Sequence, residues 1–368
     1  MWLSLREVSL SMRELTAHCF VTKHRDVNRV RYTPSTSRVC IMSLCNLRDL
    51  LIKIACAIFP RKICPSREIF YIDRQTGKKQ IEKVYHEKAL QLLYGDSWLS
   101  RLMSPWLLPS LTKSSWFSDV YGRRQKRPSS VRKIQPFIEK FGVNPSEFLE
   151  PVSQYRSFND FFIRKLKPET RPLDRHPSTA LIPADGRYYF YANIEQCSGF
   201  IVKGEKFKLE TLVDNAALAK QFNAGSMAIA RLCPSDYHRF HFPCDCLPGP
   251  TKIINGWLYS VNPMAVKKNI HILAQNKRSL CELRTPLFGP VLYIAIGATN
   301  VGSIKETYAP NEWQSKGAEK GYFEFGGSAL ILVFTKNSIE FDRDLLAATE
   351  EEIEMRCLFG QSMGKCSR

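Results

Sequence analysis

From Leu181 onward, apolar residues come in short runs bounded by Gly and Pro. Tyr188–Tyr191, Met227–Leu232, Val291–Ile296 and Ala329–Phe334 each have strand texture. The last two are almost wholly apolar, as in strands covered on both faces. Upstream the period lengthens. Phe158, Phe161, Phe162 and Leu166 recur at i, i+3, i+4 and i+8. That spacing predicts a helix with Ser157 as N-cap, Asp160 in its first turn and Pro168 as its stop. Thr349 with Glu352 three residues later has the form of a capping box and predicts a short final helix. Within Ile69–Val84, Asp73-Arg74-Gln75-Thr76-Gly77 reads as a turn between two short strands.

Two other apolar stretches stand apart. Leu47–Phe59 fits an amphipathic helix too short to span a bilayer. Residues 98–117 hold Trp98, Trp106 and Trp116 among leucines, with Arg101 and Lys113 between them. Such a mixture suits a membrane headgroup boundary, though a core helix carries the same stripe. Pro105 and Pro109 argue against one continuous helix. The patterns together give an α+β class. A β-rich domain of mostly antiparallel strands occupies 151–346. A leader (1–41, disordered, or else a start-site error upstream of Met42) and a basic, helical, membrane-facing segment (42–150) precede it, and a helix and tail (347–368) follow.

Charge sharpens the view of the N-terminal part. The chain of 368 residues carries a net +18. Residues 1–150 hold 26 Lys+Arg against 13 Asp+Glu (+13), and 151–368 hold 27 against 22 (+5). The excess suggests an anionic partner, membrane phospholipid or nucleic acid, although solubility alone would also account for it. Residues 122–133, with six cations and no acid, read as an exposed basic linker. Twelve irregularly spaced cysteines point to a reducing compartment rather than a stapled scaffold. No uncharged apolar run reaches 18 residues, so no conventional spanning helix is expected.

Phosphate loops, dinucleotide fingerprints, nucleophile elbows and H-E-x-x-H are all absent, which removes the common nucleotide, hydrolase and zinc-protease readings. His238, His241, Cys244 and Cys246 are metal-ligand types packed into nine residues. Their spacing departs from paired zinc knuckles, so no metal is expected. Ser328 follows a Gly-Gly pair, and glycine allows backbone dihedrals that present a carbonyl to a neighbouring hydroxyl. A serine hydroxyl needs a base before it attacks anything.

Five segments then fall in order: FNDFFIRKLKPETRP (158–172), LIPADG (181–186), RLCPSDYHRFHFP (231–243), GATNVGSI (297–304) and KGAEKGYFEFGGS (316–328). Together they resemble the phosphatidylserine decarboxylase family over about residues 150–340. The resemblance implies a proenzyme that cleaves its own Gly327–Ser328 bond and converts Ser328 into a pyruvoyl group. It makes His241 the base, Asp185 the group that orients it, and His238 a residue that positions substrate or returns a proton. The pyruvoyl cofactor would bind the substrate amine as a Schiff base and act as an electron sink. The expected substrate is phosphatidylserine at an anionic membrane surface, the product phosphatidylethanolamine. The expected location is peripheral, on the cytoplasmic face of the cell membrane. The expected assembly is a heterodimer of chains 1–327 and 328–368, with further dimerisation left open and no nucleic-acid partner. Two alternatives stay open: a pyruvoyl decarboxylase of a soluble aromatic amino acid, and an unprocessed lipid-binding pseudoenzyme. One departure is Ala329, where the family usually has Thr or Ser. Another is Gly326, which is often Leu in the family.

Overall fold

In the computed structural model the described residues are 69–83, 120, 122–196, 201–202, 205–206, 208–266, 271–298, 304–326 and 328–367. They belong to one compact unit, Ile63–Arg368. Residues 1–41, expected to be a leader, and the apolar stretches 47–59 and 98–117 lie outside the described residues.

In chain order the first strands are Phe70–Asp73 (β1), Lys78–Ile81 (β2), Thr179–Leu181 (β3), Gly186–Tyr191 (β4), Ile201–Val202 (β5) and Glu205–Lys206 (β6). Ser226–Leu232 (β7), Arg239–His241 (β8), Leu247–Pro248 (β9), Lys252–Ile254 (β10), Arg278–Thr285 (β11) and Gly289–Gly297 (β12) follow. The last are Ile304–Glu306 (β13), Glu319–Phe323 (β14), Ser328–Phe334 (β15), Ile339–Phe341 (β16), Glu354–Cys357 (β17) and Ser362–Cys366 (β18). The helices that bear on the site are Ile134–Phe141 (α1), Phe158–Phe162 (α2) and Arg343–Glu350 (α3).

The four runs with strand texture are strands. β15 lies between β12 and β7, and all seven of its residues are buried. Alternation along it separates two cores. Leu330, Leu332 and Phe334 join Tyr188, Phe240 and Tyr293 on one face. Ala329, Ile331 and Val333 join Leu292, Ile294 and Ile296 on the other. The main sheet runs β10-β11-β12-β15-β7-β4-β17-β1-β2, with β9 beside β11. Its pairings are antiparallel except for β1 with β17. A smaller sheet, β13-β14-β8, carries the histidine strand. The turn expected at 73–77 joins β1 to β2.

Three expectations are corrected by tertiary packing. α2 has its Ser157 cap, the side chain accepting from Asp160 N, but ends at Phe162. Arg164 turns inward, stacks on Phe148 and Phe161, and donates to the carbonyls of Ser235 and Asp236. Leu166 pairs with Phe148, and Pro168 opens a separate 3-10 turn. The final helix comes earlier than expected, as α3. Thr349 sits near its end, its hydroxyl donating to Leu345 O and accepting from Phe190 N. The chain beyond it is mostly strand, because Met355, Cys357 and Met363 feed the first core. Residues 122–133 are folded rather than a linker. Pro128–Lys133 is a 3-10 turn with Ser130 buried, although its cations stay exposed.

Phe137, Ile138 and Phe148 share a third core with Phe158, Phe161, Phe162 and Phe325. Among the described residues no helix is long and apolar enough to cross a membrane.

Candidate active site

Ser328 opens β15, opposite Gly297 on one side and Leu232 on the other. Strand alternation puts its side chain on the face of Leu330 and the first core. It is fully buried, and Oγ has no hydrogen-bond partner. Gly327 lies outside the described residues. Gly326 holds φ at +149°, a conformation L side chains rarely adopt. Phe325 is gripped by α2. Its N–H donates to Asn159 Oδ1 at 2.9 Å, and its ring packs 5.1 Å from Phe158 and 4.8 Å from Phe162.

The two histidines flank β8 differently. His238 Nδ1 faces Asp236 O at 3.0 Å, and a carbonyl only accepts, so Nδ1 carries the proton. Nε2 is then a buried lone pair with no partner. The ring lies 3.9 Å from Phe162, the ring that also touches Phe325. Burial lowers the His238 pKa to about 3. His241 donates from Nδ1 to Gly317 O at 3.1 Å, and its Nε2 faces the Tyr237 hydroxyl at 3.3 Å. Its ring stacks on Phe359 with centroids 3.7 Å apart at 13°. Burial lowers its pKa to about 4. Both rings are therefore neutral at pH 7 and able to accept a proton.

Asp185 ends the Pro183–Ala184–Asp185 turn between β3 and β4 and is buried. Its carboxylate accepts from Arg171 (Nη2 to Oδ2 at 2.7 Å) and from the backbone N–H of Phe359 (2.8 Å). Arg171 also reaches Glu147 at 2.9 Å. His241 N donates to Pro183 O at 2.8 Å, so the turn and the histidine strand are joined by backbone. Phe359 touches both groups. Among the described residues no hydrogen bond links Asp185, His241 and Ser328 directly. Cys244 and Cys246 enter the first core beside β8, and burial raises both thiol pKa values, that of Cys246 to about 12. Among the described residues no group of three or more such side chains is arranged to hold a metal ion.

Asn159, Arg171, Tyr237 and Phe359 take part in this site without having been singled out from sequence. The first three lie inside segments quoted for the resemblance, and that adjacency was their only signal.

A mostly antiparallel domain that keeps a serine hydroxyl and a histidine nitrogen buried and unbonded has the build of an enzyme. The sequence model of the family described as phosphatidylserine decarboxylase matches residues 158–365. A phosphatidylserine decarboxylase proenzyme of Chlamydia pneumoniae is 46% identical over 298 residues, 81% of this chain and 97% of the relative. One of Fusobacterium nucleatum is 42% identical over 297 residues, again 81% and 97%. This chain belongs to the phosphatidylserine decarboxylase family, a family of carboxy-lyases.

Proposed function

We propose that this chain cleaves itself at Gly327–Ser328 and then decarboxylates phosphatidylserine to phosphatidylethanolamine. The observation that carries the proposal is the Ser328 hydroxyl, buried without a partner two residues after Gly326 at φ +149°. A buried hydroxyl left unbonded costs free energy, so its retention fits a group reserved for reaction.

Oγ attacks the Gly327 carbonyl carbon as neutral His241 takes its proton at Nε2. The Tyr237 hydroxyl at that nitrogen makes only a long bond, which a stronger partner displaces. His241 passes that proton to the Ser328 nitrogen as the C–N bond breaks, and an ester joins Gly327 to Ser328. Loss of the Ser328 Cα proton expels the Gly327 carboxylate from Cβ and leaves dehydroalanine. Water then releases its nitrogen as ammonia, and residue 328 becomes a pyruvoyl group. Ser328 fits that conversion because nothing else engages its Oγ. The group supplies a sink for the electrons left when carbon dioxide departs. Arg171 and Asp185 hold the turn against which the His241 strand is hydrogen-bonded. His238 positions substrate or returns the proton to its α carbon.

The membrane part of the reading rests on 122–133. Arg123, Arg124, Arg127 and Arg132 are exposed, and Lys126 pairs with Glu324 at 2.6 Å, beside the cleavage segment. Burial, then the charges of Arg124 and Arg132, hold the Lys133 ammonium below its usual range. Such a cluster suits anionic headgroups at about 1 kcal/mol per cation, on the cytoplasmic face, with peripheral attachment.

The test is the intact mass of the purified protein. Chains 1–327 and 328–368, the latter with a blocked N-terminus, are expected. Ser328→Ala and His241→Ala should stay whole, and a parent chain that stays whole sinks the proposal. Carbon dioxide release from phosphatidylserine vesicles, and not from free aromatic amino acids, separates the substrate readings. A second reading exchanges the histidines, because His238 Nε2 is unpartnered whereas His241 Nε2 faces Tyr237. It predicts cleavage by His241→Ala and none by His238→Ala.

A further inference from the structure

We infer that Phe359 is a positioning residue for self-cleavage, fixing the His241 ring and the Asp185 carboxylate from one turn of the C-terminal segment. The inference rests on the proposal that His241 is the base.

Its geometry is unusual in touching both groups by different means. The Phe359 ring lies nearly parallel to the imidazole at 3.7 Å, which fixes the plane of His241. The Nδ1 bond to Gly317 O fixes rotation within that plane. Together they leave Nε2 one direction. The Phe359 N–H binds Asp185 Oδ1 at 2.8 Å, so carboxylate and imidazole are referred to one residue.

The turn that carries Phe359 is held from all sides. Leu358 N donates to Gln361 Oε1 at 3.0 Å, Gly360 N to Ile182 O at 3.1 Å and Ile182 N to Gln361 O at 2.8 Å. Gly360 takes φ +91°, and a Cβ there would lie 2.7 Å from Pro172 O, so no other residue fits without a shift. Phe359 thus sits on a fixed turn between β17 and β18.

The consequence concerns order. Asp185 and His241 belong to the part before the cleavage point, Ser328 and Phe359 to the part after it. The base is therefore completed by the same segment that carries the nucleophile. Cleavage has to wait until β17 and β18 have docked, which protects a half-folded chain from premature scission.

The ring also covers His241 against water. The polar groups that face the imidazole are the Tyr237 hydroxyl, Gly317 O, Glu319 and Arg239. Removing the flat cover without removing these groups hydrates the ring and makes its cation easier to form.

The test uses the full chain, following appearance of the small chain at pH 4–8, with melting measured in a Ser328→Ala background. Phe359→Leu keeps apolar volume without the flat face. It should cleave at least about tenfold more slowly, since a displaced catalytic group costs that much or more. The acid limb of its pH profile should move upward, and its melting midpoint should stay near the parent's. Phe359→Tyr restores the flat ring and should recover a rate within about threefold of the parent. A Phe359→Leu chain with the parent's rate and profile overturns the inference. So does a Phe359→Tyr chain as slow as Phe359→Leu, or a loss of rate that only tracks melting. If His241→Ala cleaves normally, the base assignment fails and this inference with it. If His241→Ala stays whole while Phe359→Leu is normal, the inference alone fails.

Discussion

The two faces of the sheet at the head of β15 treat buried polarity in opposite ways. On one face the Ser328 Oγ has no partner. One register step along, Ala329 pairs with Arg231, whose side chain lies on the opposite face by alternation. Arg231 donates to Glu82 at 3.0 and 2.5 Å and to Glu354 at 3.0 and 2.6 Å. Arg187 beside it binds Asp236, and Arg356 binds Asp73 at 2.6 Å. The ionic face ties the N-terminal hairpin and the C-terminal strand to the centre of the sheet. The serine face leaves its hydroxyl free. Polar burial that is satisfied serves the fold, and polar burial left open is available to chemistry.

The largest effect expected from this contrast is on stability. Arg231→Met, in a Ser328→Ala background, leaves Glu354 buried without its cation and Glu82 with only the longer pairing to Arg187 at 3.4 Å. It should lose about 3–5 kcal/mol in denaturant unfolding. Ser328→Ala alone removes a hydroxyl that bonds to nothing, so it should be neutral or slightly stabilising. A Ser328→Ala chain that unfolds as early as Arg231→Met would erase the distinction between the faces.

Acid should take the two groups apart at different pH. Burial lowers His241 from 6.5 to about 4 and His238 from 6.5 to about 3. Between those values the unfolded chain binds protons that the folded chain does not. Their contribution is thus fully present above about pH 6.5 and is lost as the pH falls, on the order of 3 kcal/mol for His241. For Glu82, burial acts upward but is outweighed by Arg231, giving about 2 against an ordinary 4.5. Its contribution is present above 4.5 and lost only as the pH falls toward 2. Urea unfolding of the Ser328→Ala chain should therefore show a first loss between pH 6.5 and 4. His241→Phe should shrink that loss, whereas Glu82→Gln should leave it in place.

This division bears on what the sequence could reveal. β12 and β15 were legible because a strand buried on both faces is almost continuously apolar, and the Asp73–Gly77 turn because its residues are local. α2 was legible at its capped start but not at its end, where Arg164 trades helical continuation for carbonyls some seventy residues away. The chemistry at Ser328 and His241 was visible only through ordered segments. Phe359, 174 positions from Asp185, and Asn159, 166 from Phe325, had no local pattern to announce them. Contacts of that span are decided by the assembled sheet, not by neighbouring residues.

A smaller effect is expected where α2 grips the cleavage segment. Asn159→Leu removes the Oδ1 that accepts from the buried Phe325 N–H, which should cost about 1–3 kcal/mol. Self-cleavage should slow as the chain around Gly326 loosens. Activity per small chain formed should stay at the parent's value, because the grip acts before the bond breaks. A variant that loses both in proportion would make Asn159 a general fold residue instead.

The smallest effect is expected at Ala329, where the family usually carries a hydroxyl. Ala329 packs in the second core with Ile296, Ile331 and Val333, on the face away from Ser328. Its cross-strand partners are Ile296 and Arg231, the latter already saturated by Glu82 and Glu354, so a hydroxyl there would find no partner waiting. Ala329→Thr should therefore leave the cleavage rate within about twofold, and cost about 1 kcal/mol by burying a hydroxyl that gains no hydrogen bond. A gain of tenfold or more would mean that the hydroxyl acts through the backbone at 328–329 rather than through the serine face. The separation of the two faces would then end one residue earlier than β15 alternation places it.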